Sequence, residues 1–138
     1  MIEGWRDEEY VVLFDEEEVA AASRRYQIEQ WLPGHQVVGL RGWDDFIVRD
    51  GKGGVFTVPT VPVDPQYLAP FGGAAAGVPL RADGRYTGKI KWYVKPLVFG
   101  GDPQLAENVM WVDHEQHGQL VRWWNDQYWA LRRGQGGG

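Results

Sequence analysis

The residues with the greatest potential for chemistry lie in the run Asp113-His114-Glu115-Gln116-His117. Two histidines three residues apart on a helix can share a metal ion, but zinc usually takes three or four protein ligands. The sequence has no second cluster, only scattered carboxylates such as Asp126. In the simpler interpretation Asp113 caps a helix and His117 faces its core. We therefore predict no metal site and no cofactor, and keep a metal-dependent hydrolase using His114 and His117 as an alternative.

A second candidate is the group of three carboxylates around the first hairpin, Asp44, Asp45 and Asp50. Such carboxylates can perform acid–base chemistry, bond their own backbone in turns, or present an acidic patch to a partner. Trp43 precedes two of them, and Trp is enriched among the residues that dominate binding at protein interfaces. We interpret Asp50 as a turn residue and predict a partner-binding surface at Trp43, Asp44 and Asp45. The alternative is that Trp43 folds back over the sheet as a lid.

The remaining motifs argue against catalysis. The glycine-rich runs 50–54 and 100–102 lack the Walker spacing and the Lys-Ser/Thr pair that precedes a helix in phosphate-binding loops. Ser23 is the only serine, and it does not lie in a Gly-x-Ser-x-Gly elbow. We predict no catalytic residue, and expect that the protein is not an enzyme.

Two helices should carry the candidate residues. The first is predicted over 15–31, with Asp15 and Glu18 in a capping box and a thin buried stripe. The second begins after Asp113, with Gln116 completing another capping box. Trp123 lies about 100° from the core stripe of this helix and is predicted to be an exposed partner-binding residue. The stripe itself consists of His117, Leu120, Val121, Trp124, Tyr128 and Leu131.

The rest of the chain is predicted to form strands and turns, giving an α+β fold in which a mostly antiparallel sheet of about five strands is packed by two helices. We expect one domain over 1–133 and a disordered glycine-rich tail over 134–138. A long loop over 64–85 should contain one helical turn near Pro65. Strands are predicted at 10–14, 36–40, 46–49, 55–58, 89–94 with an extension at 97–99, and 108–112.

Composition restricts the partner and the location. Residues 1–50 contain twelve acidic and five basic residues, and the whole chain has a net charge of −5. The acidic first third argues against nucleic acid, whose phosphates would be repelled. It either attracts a basic protein partner or serves as a solubilising surface. The chain has no cysteine, no signal-peptide pattern at its start and no apolar run near the ~18 residues of a membrane span. We expect a cytoplasmic protein that does not bind membranes.

The order and spacing of several segments resemble the SUKH superfamily over about residues 10–71. YVVLFDEEEVAAASRRY is similar to the family's strand followed by a helix, and WLPGHQVVGLRGWDDFIVRDGKGGVFTVP to its Leu-Pro-Gly exit, strand, loop and hairpin. VPVDPQYLAPF is similar to the segment that closes the family's sheet. This group contains fungal Smi/Knr cell-wall regulators and many bacterial proteins.

The resemblance implies a binding function by analogy. Bacterial SUKH proteins are mainly immunity proteins that bind and neutralise toxins, so the resemblance implies a toxin domain as the partner, and the acidic first third of the chain favours a basic one. The fungal members imply a second hypothesis, a cytosolic regulatory or scaffold module. A neighbouring toxin gene would favour the first hypothesis over the second.

Overall fold

The computed structural model describes residues 1–71 and 79–136 and has an α+β architecture. A six-stranded antiparallel sheet has the order β1-β2-β3-β4-β5-β6, and a separate antiparallel pair is formed by β7 and β8. The strands are β1 Ile2–Arg6, β2 Glu9–Leu13, β3 Gln36–Arg41, β4 Asp45–Arg49, β5 Val55–Pro59, β6 Ala69–Pro70, β7 Ile90–Tyr93 and β8 Val109–Val112. The helices are α1 Glu16–Arg25, α2 Ile28–Trp31 and α3 His114–Gly136. Short 3-10 helices cover Pro65–Tyr67, Leu97–Phe99 and Ala106–Asn108.

The predicted fold class is confirmed, with one more strand in the main sheet and a second small sheet. The helical turn at Pro65 is present, whereas the middle of the predicted loop, 72–78, lies outside the described residues. Helix α3 continues to Gly136, within the stretch expected to be a tail, and residues 137–138 are not described. None of the described helices is long and apolar enough to cross a membrane.

The first helix differs from its prediction because it breaks near Gln27. The capping box holds: the Glu18 N–H donates to Asp15 Oδ1 at 2.9 Å and the Asp15 N–H donates to Glu18 Oε1 at 3.0 Å. Gln27, however, has a φ of 52°, in the left-handed region, and separates α1 from α2. In a continuous helix Ile28 would lie about 200° from the buried Tyr26, on the opposite face. The break lets both Tyr26 and Ile28 enter the core.

One further expectation is wrong, and one strand of the structure has no counterpart in the prediction. Leu97–Phe99 is a 3-10 helix and does not extend β7, because Pro96 precedes it and Gly100 ends it in a left-handed conformation. Strand β1 is not among the strands that the sequence predicts, since two of its five residues are charged and its central residue is glycine. A Cβ at Gly4 would lie 2.6 Å from the carbonyl oxygen of Arg81, so glycine is what allows the bridge between Trp5 and Arg81.

The main core lies between the six-stranded sheet, the helices and the inner face of the small sheet. Alternate residues of the central strands face it, as in Phe46 and Val48, while Ile47 packs in a smaller cluster on the other face with Phe71. Trp92 of β7 and Val121 of α3 join the main core. The small sheet therefore closes one side of the core.

Helix α3 buries a narrower stripe than its spacing predicts. His117, Val121 and Tyr128 are buried as expected, but Leu120 and Trp124 are only partly buried and Leu131 is 57% exposed. Leu131 lies beyond Tyr128, the last buried residue of this helix over 114–133. The fully buried residue that the sequence did not indicate is Asn125.

Asn125 joins α3 to the segment that follows β5. Its Oδ1 accepts the Val63 N–H at 2.7 Å, and its Nδ2 donates to the carbonyl oxygens of Thr60 and Val121, both at 2.8 Å. All polar atoms of this side chain are thus satisfied inside the core. The backbone groups of Val63 and Thr60 depend on it in turn.

We predict that Asn125→Leu lowers the free energy of unfolding by about 2–4 kcal/mol, because it leaves a buried N–H and a buried carbonyl unpaired. The exposed neighbour Asp126 provides the control: Asp126→Ala should change it by less than about 0.5 kcal/mol. Urea denaturation of both variants measures the difference. Equal stabilities would contradict the structural role of the amide.

Candidate functional site

Trp43 lies in the turn between β3 and β4, at a φ of 63°. Its ring stacks on Tyr10 at 5.0 Å between centroids and meets Trp5 and Trp111 edge-on at 5.8 and 5.2 Å. With Tyr86, these rings form what we call the aromatic cluster. Trp43 is half-buried there, and its indole Nε1 is buried without a hydrogen-bond partner. This placement matches the alternative in which Trp43 covers the sheet.

The aromatic cluster is fixed from the side of β1 by two carboxylates. Glu3 accepts hydrogen bonds from the Tyr10 hydroxyl at 2.6 Å and from the Gly88 N–H at 3.1 Å. Asp83 accepts from Arg85 at 2.8 Å and from the Trp5 indole N–H at 3.1 Å, and these bonds lower the pKa of its carboxyl well below the usual range. The cluster is therefore tied to the segment around 83–88, and only its outer ring, Trp111, is strongly exposed.

Asp44 and Asp45 line a pocket of about 160 Å³ between the start of β4, the end of β5 and the connection after β7. Asp45 forms an ion pair with Arg41 at 2.9 Å. The carboxylate of Asp44 has no ion pair or hydrogen bond within residues 1–71 and 79–136, and only its backbone carbonyl is used, by Thr60. The other walls of the pocket include Val61, Trp92, Tyr93 and Leu97.

The environment of the pocket acts on the Asp44 carboxyl. Asp44 is an exposed residue, yet the walls of the pocket remove part of the water around its carboxyl, and this partial desolvation raises its pKa from 3.8 to about 6. The positive charge of Lys91 works against this rise, and the negative charge of Asp45 adds to it. Ionised Asp44 therefore bears a desolvation penalty that Lys91 offsets only in part.

The connection between β7 and β8 exposes four aliphatic side chains, Val94, Leu97, Val98 and Leu105, which we call the apolar loop; each is about half exposed, from 46% to 51%. The loop is held from within by Asn108. Its Oδ1 accepts the Lys95 N–H at 2.7 Å, and its Nδ2 donates to the carbonyl oxygens of Lys95 and Asp102 at 3.0 and 3.3 Å. These side chains are therefore presented to solvent by a hydrogen-bonded frame.

Trp123 lies on α3 and is 54% exposed, as its position off the core stripe predicts. Its ring meets Trp124 edge-on at 4.8 Å, and Trp124 packs on Phe99 at 4.9 Å. Because Phe99 belongs to the same short helix as Leu97, Trp123 is connected to the apolar loop through two ring contacts. Leu97 in turn lines the pocket with Asp44 and Asp45.

The structure thus links three of the four predicted partner-binding residues. Asp44 and Asp45 share the pocket, Trp123 is joined to it through the apolar loop, and Trp43 packs in the aromatic cluster. The apolar loop was missed because Leu97–Phe99 was interpreted as a strand. A usable signal was present: aliphatic residues stand between Pro96 and Gly-Gly-Asp-Pro, where a strand cannot continue.

The two histidines of the candidate pair differ in burial and in contacts. Among the described residues no group of three His, Cys, Asp or Glu side chains could hold an ion. His117 is fully buried, with the Tyr26 hydroxyl 2.7 Å from its Nδ1 and the ring of Trp92 5.4 Å away, and burial lowers its pKa to about 3. His114 is partly buried beside Phe14. His117 is therefore a neutral residue of the core.

Comparison with known proteins adds no relative. No family model matches the chain, and neither a curated protein nor a solved structure is similar to it. The function must therefore be argued from the site itself.

We predict that Trp43→Ala lowers the free energy of unfolding by about 2–3 kcal/mol, because it removes a half-buried ring that contacts four others. Trp123→Ala is the matched control and should cost less than about 1 kcal/mol. Trp43→Phe should recover most of the loss. Thermal and urea unfolding test this, and a Trp43→Ala protein as stable as the Trp123→Ala protein would contradict the structural role.

His117 should make stability depend on pH. Its pKa in the folded protein, about 3, lies below the ordinary 6.5, so between these values the unfolded chain binds more protons. The contribution of His117 to the free energy of unfolding is therefore complete above about pH 6.5 and is lost as the pH falls toward 3. Because the pKa of Asp44 is raised, its contribution to the free energy of unfolding falls as the pH rises from 3.8 to about 6. The effect of His117 is therefore measured as a difference between two proteins that both contain Asp44.

That difference is taken between the wild type and His117→Gln, whose amide can still bond the Tyr26 hydroxyl but does not titrate. The stability advantage of the wild type should shrink as the pH falls from 7 to 4. Urea denaturation at intervals of one pH unit measures it. Parallel curves for the two proteins would show that His117 does not titrate on unfolding.

Proposed function

We propose that this chain is a SUKH-type protein-binding domain that acts as a bacterial immunity protein, neutralising a toxin by direct binding in the cytoplasm. The observation that carries this proposal is the apolar loop. Four aliphatic side chains stand half exposed on a connection that Asn108 holds in place, next to the exposed ring of Trp123. Exposed apolar groups rimmed by polar residues are typical of protein interaction sites.

The charge distribution supports a basic partner. Asp44 lies beside Leu97 in the pocket, and most of the acidic residues are in the first third of the chain. Acidic groups at the rim of an apolar surface speed the encounter with a basic protein and fix its orientation. The apolar contacts would then supply most of the affinity.

The proposal includes that the chain is not an enzyme. The hydrolase alternative needs a solvent-accessible histidine, but His117 is enclosed by the core and bonded to Tyr26. The two carboxylates of the pocket also differ, since Asp45 forms an ion pair with Arg41 and Asp44 does not. The contacts of His117 argue against the hydrolase alternative, and the ion pair of Asp45 argues against acid–base chemistry by the two carboxylates together.

The immunity role is tested by co-expression. Products of the genes adjacent to this one are expressed in a bacterial host, with and without this chain. We expect one product to arrest growth, growth to be restored by this chain, and the two purified proteins to form a stable complex. A complex without neutralisation would overturn the immunity role in favour of a regulatory module.

The surface is tested in the same complex with Leu97→Ser and Trp123→Ala. Each should weaken the affinity by about tenfold or more, as truncation of an interface anchor does, and leave the fold intact. Ile2→Ser is the control, because Ile2 is an even more exposed aliphatic residue on edge strand β1. If all three variants bind like the wild type, the apolar loop is not the binding surface.

A further inference from the structure

The pocket beside the apolar loop combines one unpaired carboxylate with apolar and aromatic walls. Asp44 supplies the carboxylate, and Val61, Trp92 and Leu97 supply walls that carry no charge. At about 160 Å³ the pocket is smaller than the ~300 Å³ at which sites for drug-sized ligands begin. It has the size for a single side chain.

We propose that this pocket receives an arginine side chain of the protein partner, with the guanidinium paired to Asp44 and the aliphatic stem against Val61 and Leu97. This inference rests on the proposed function, since it names the chemistry by which the same surface recognises its partner. It adds a specificity site to a surface otherwise built from apolar contacts.

The first argument is charge complementarity within the pocket. Asp45 already has its cation, Arg41, at 2.9 Å, whereas the Asp44 carboxylate has none within residues 1–71 and 79–136. Lys91 lies close enough to act on Asp44 electrostatically, but its Nζ sits 5.2 Å from the centre of the Tyr93 ring and forms no ion pair with Asp44. An incoming cation would offset the desolvation that Asp44 bears in the free protein.

The second argument concerns the form of the cation. A guanidinium is weakly hydrated, stacks on aromatic faces and bonds a carboxylate through two parallel N–H groups. Tyr93, one of the residues that line the pocket, already has a cation near its ring, since Lys91 Nζ lies 5.2 Å from the ring centre. The long aliphatic stem of arginine suits apolar walls while its charged head reaches the carboxylate. A lysine ammonium satisfies only the charge.

The test uses the whole chain and a probe that needs no partner. Proton–nitrogen correlation spectra are recorded while N-acetyl-arginine amide is added, and N-acetyl-citrulline amide serves as the neutral isostere. We expect weak saturable binding of the arginine probe, with a Kd on the order of 1–10 mM. The shifts should be confined to the pocket, including the amides of Thr60 and Leu97 and the indole N–H of Trp92. Citrulline should bind at least tenfold more weakly.

Three variants locate the charge that binds. Asp44→Asn should weaken arginine binding by about tenfold or more, whereas Asp45→Asn, the matched change of a carboxylate already paired to Arg41, should weaken it less than threefold. Lys91→Met should strengthen it, because a nearby positive charge is removed. A thermal melt of each variant confirms that it is folded.

Equal binding of arginine and citrulline, or tighter binding of N-acetyl-lysine amide, would overturn the inference. So would chemical shift changes outside the pocket, or an affinity for arginine that Asp44→Asn leaves unchanged. The last contrary result is no binding at 50 mM probe, about five times the weakest Kd expected. None of them touches the proposed function, because the probe experiment contains no partner. Conversely, a complex that depends on Leu97 and Trp123 but not on Asp44 would retain the proposed function and remove the arginine site.

Discussion

The buried amide of Asn125 fixes the position of helix α3, which carries Trp123, relative to the segment that lines the pocket. It bonds the backbone of Thr60 and Val63, in the segment that follows β5, to helix α3. Tyr128 and Trp129 reinforce this contact by donating to Asp64 and to the carbonyl oxygen of Val63. The same segment forms one wall of the pocket, and the same helix carries Trp123. The spacing between pocket and exposed ring is thus fixed inside the core.

In the small sheet, the residues that stabilise the fold differ from the nearby residues that are exposed for binding. Ile90, Trp92 and Val112 face the main core, so β7 and β8 contribute to the fold. Their connection turns outward and is held by Asn108, which leaves Leu97 and its aliphatic neighbours exposed. Because hydrogen bonds from Asn108 hold the backbone of this connection, substitutions of its exposed side chains need not disturb its conformation. A surface built in this way can vary its specificity at little cost to stability.

Local signals explain which features could be predicted from the sequence. The capping boxes at Asp15 and Asp113 and the turn at Asp50 each depend on bonds within four residues, and all three are present. The break at Gln27 and strand β1 depend on the core and on the backbone near Arg81, which no local pattern reveals. For the same reason the sequence does not indicate the role of Asn125 and leaves two roles open for Trp43, because the position of each is set by partners distant in the sequence.

Asp44 and Asp45 show how far residue type alone determines function. They are adjacent and chemically identical, yet Asp45 is paired with Arg41, whereas Asp44 is only partly desolvated and has no ion pair in the described part of the chain. An unpaired carboxylate in a pocket and half-exposed aliphatic side chains next to it are both unfavourable in the isolated protein. A single partner that brings apolar groups and a cation together would relieve both at once. This shared cost is the strongest physical reason to treat the pocket and the apolar loop as one surface.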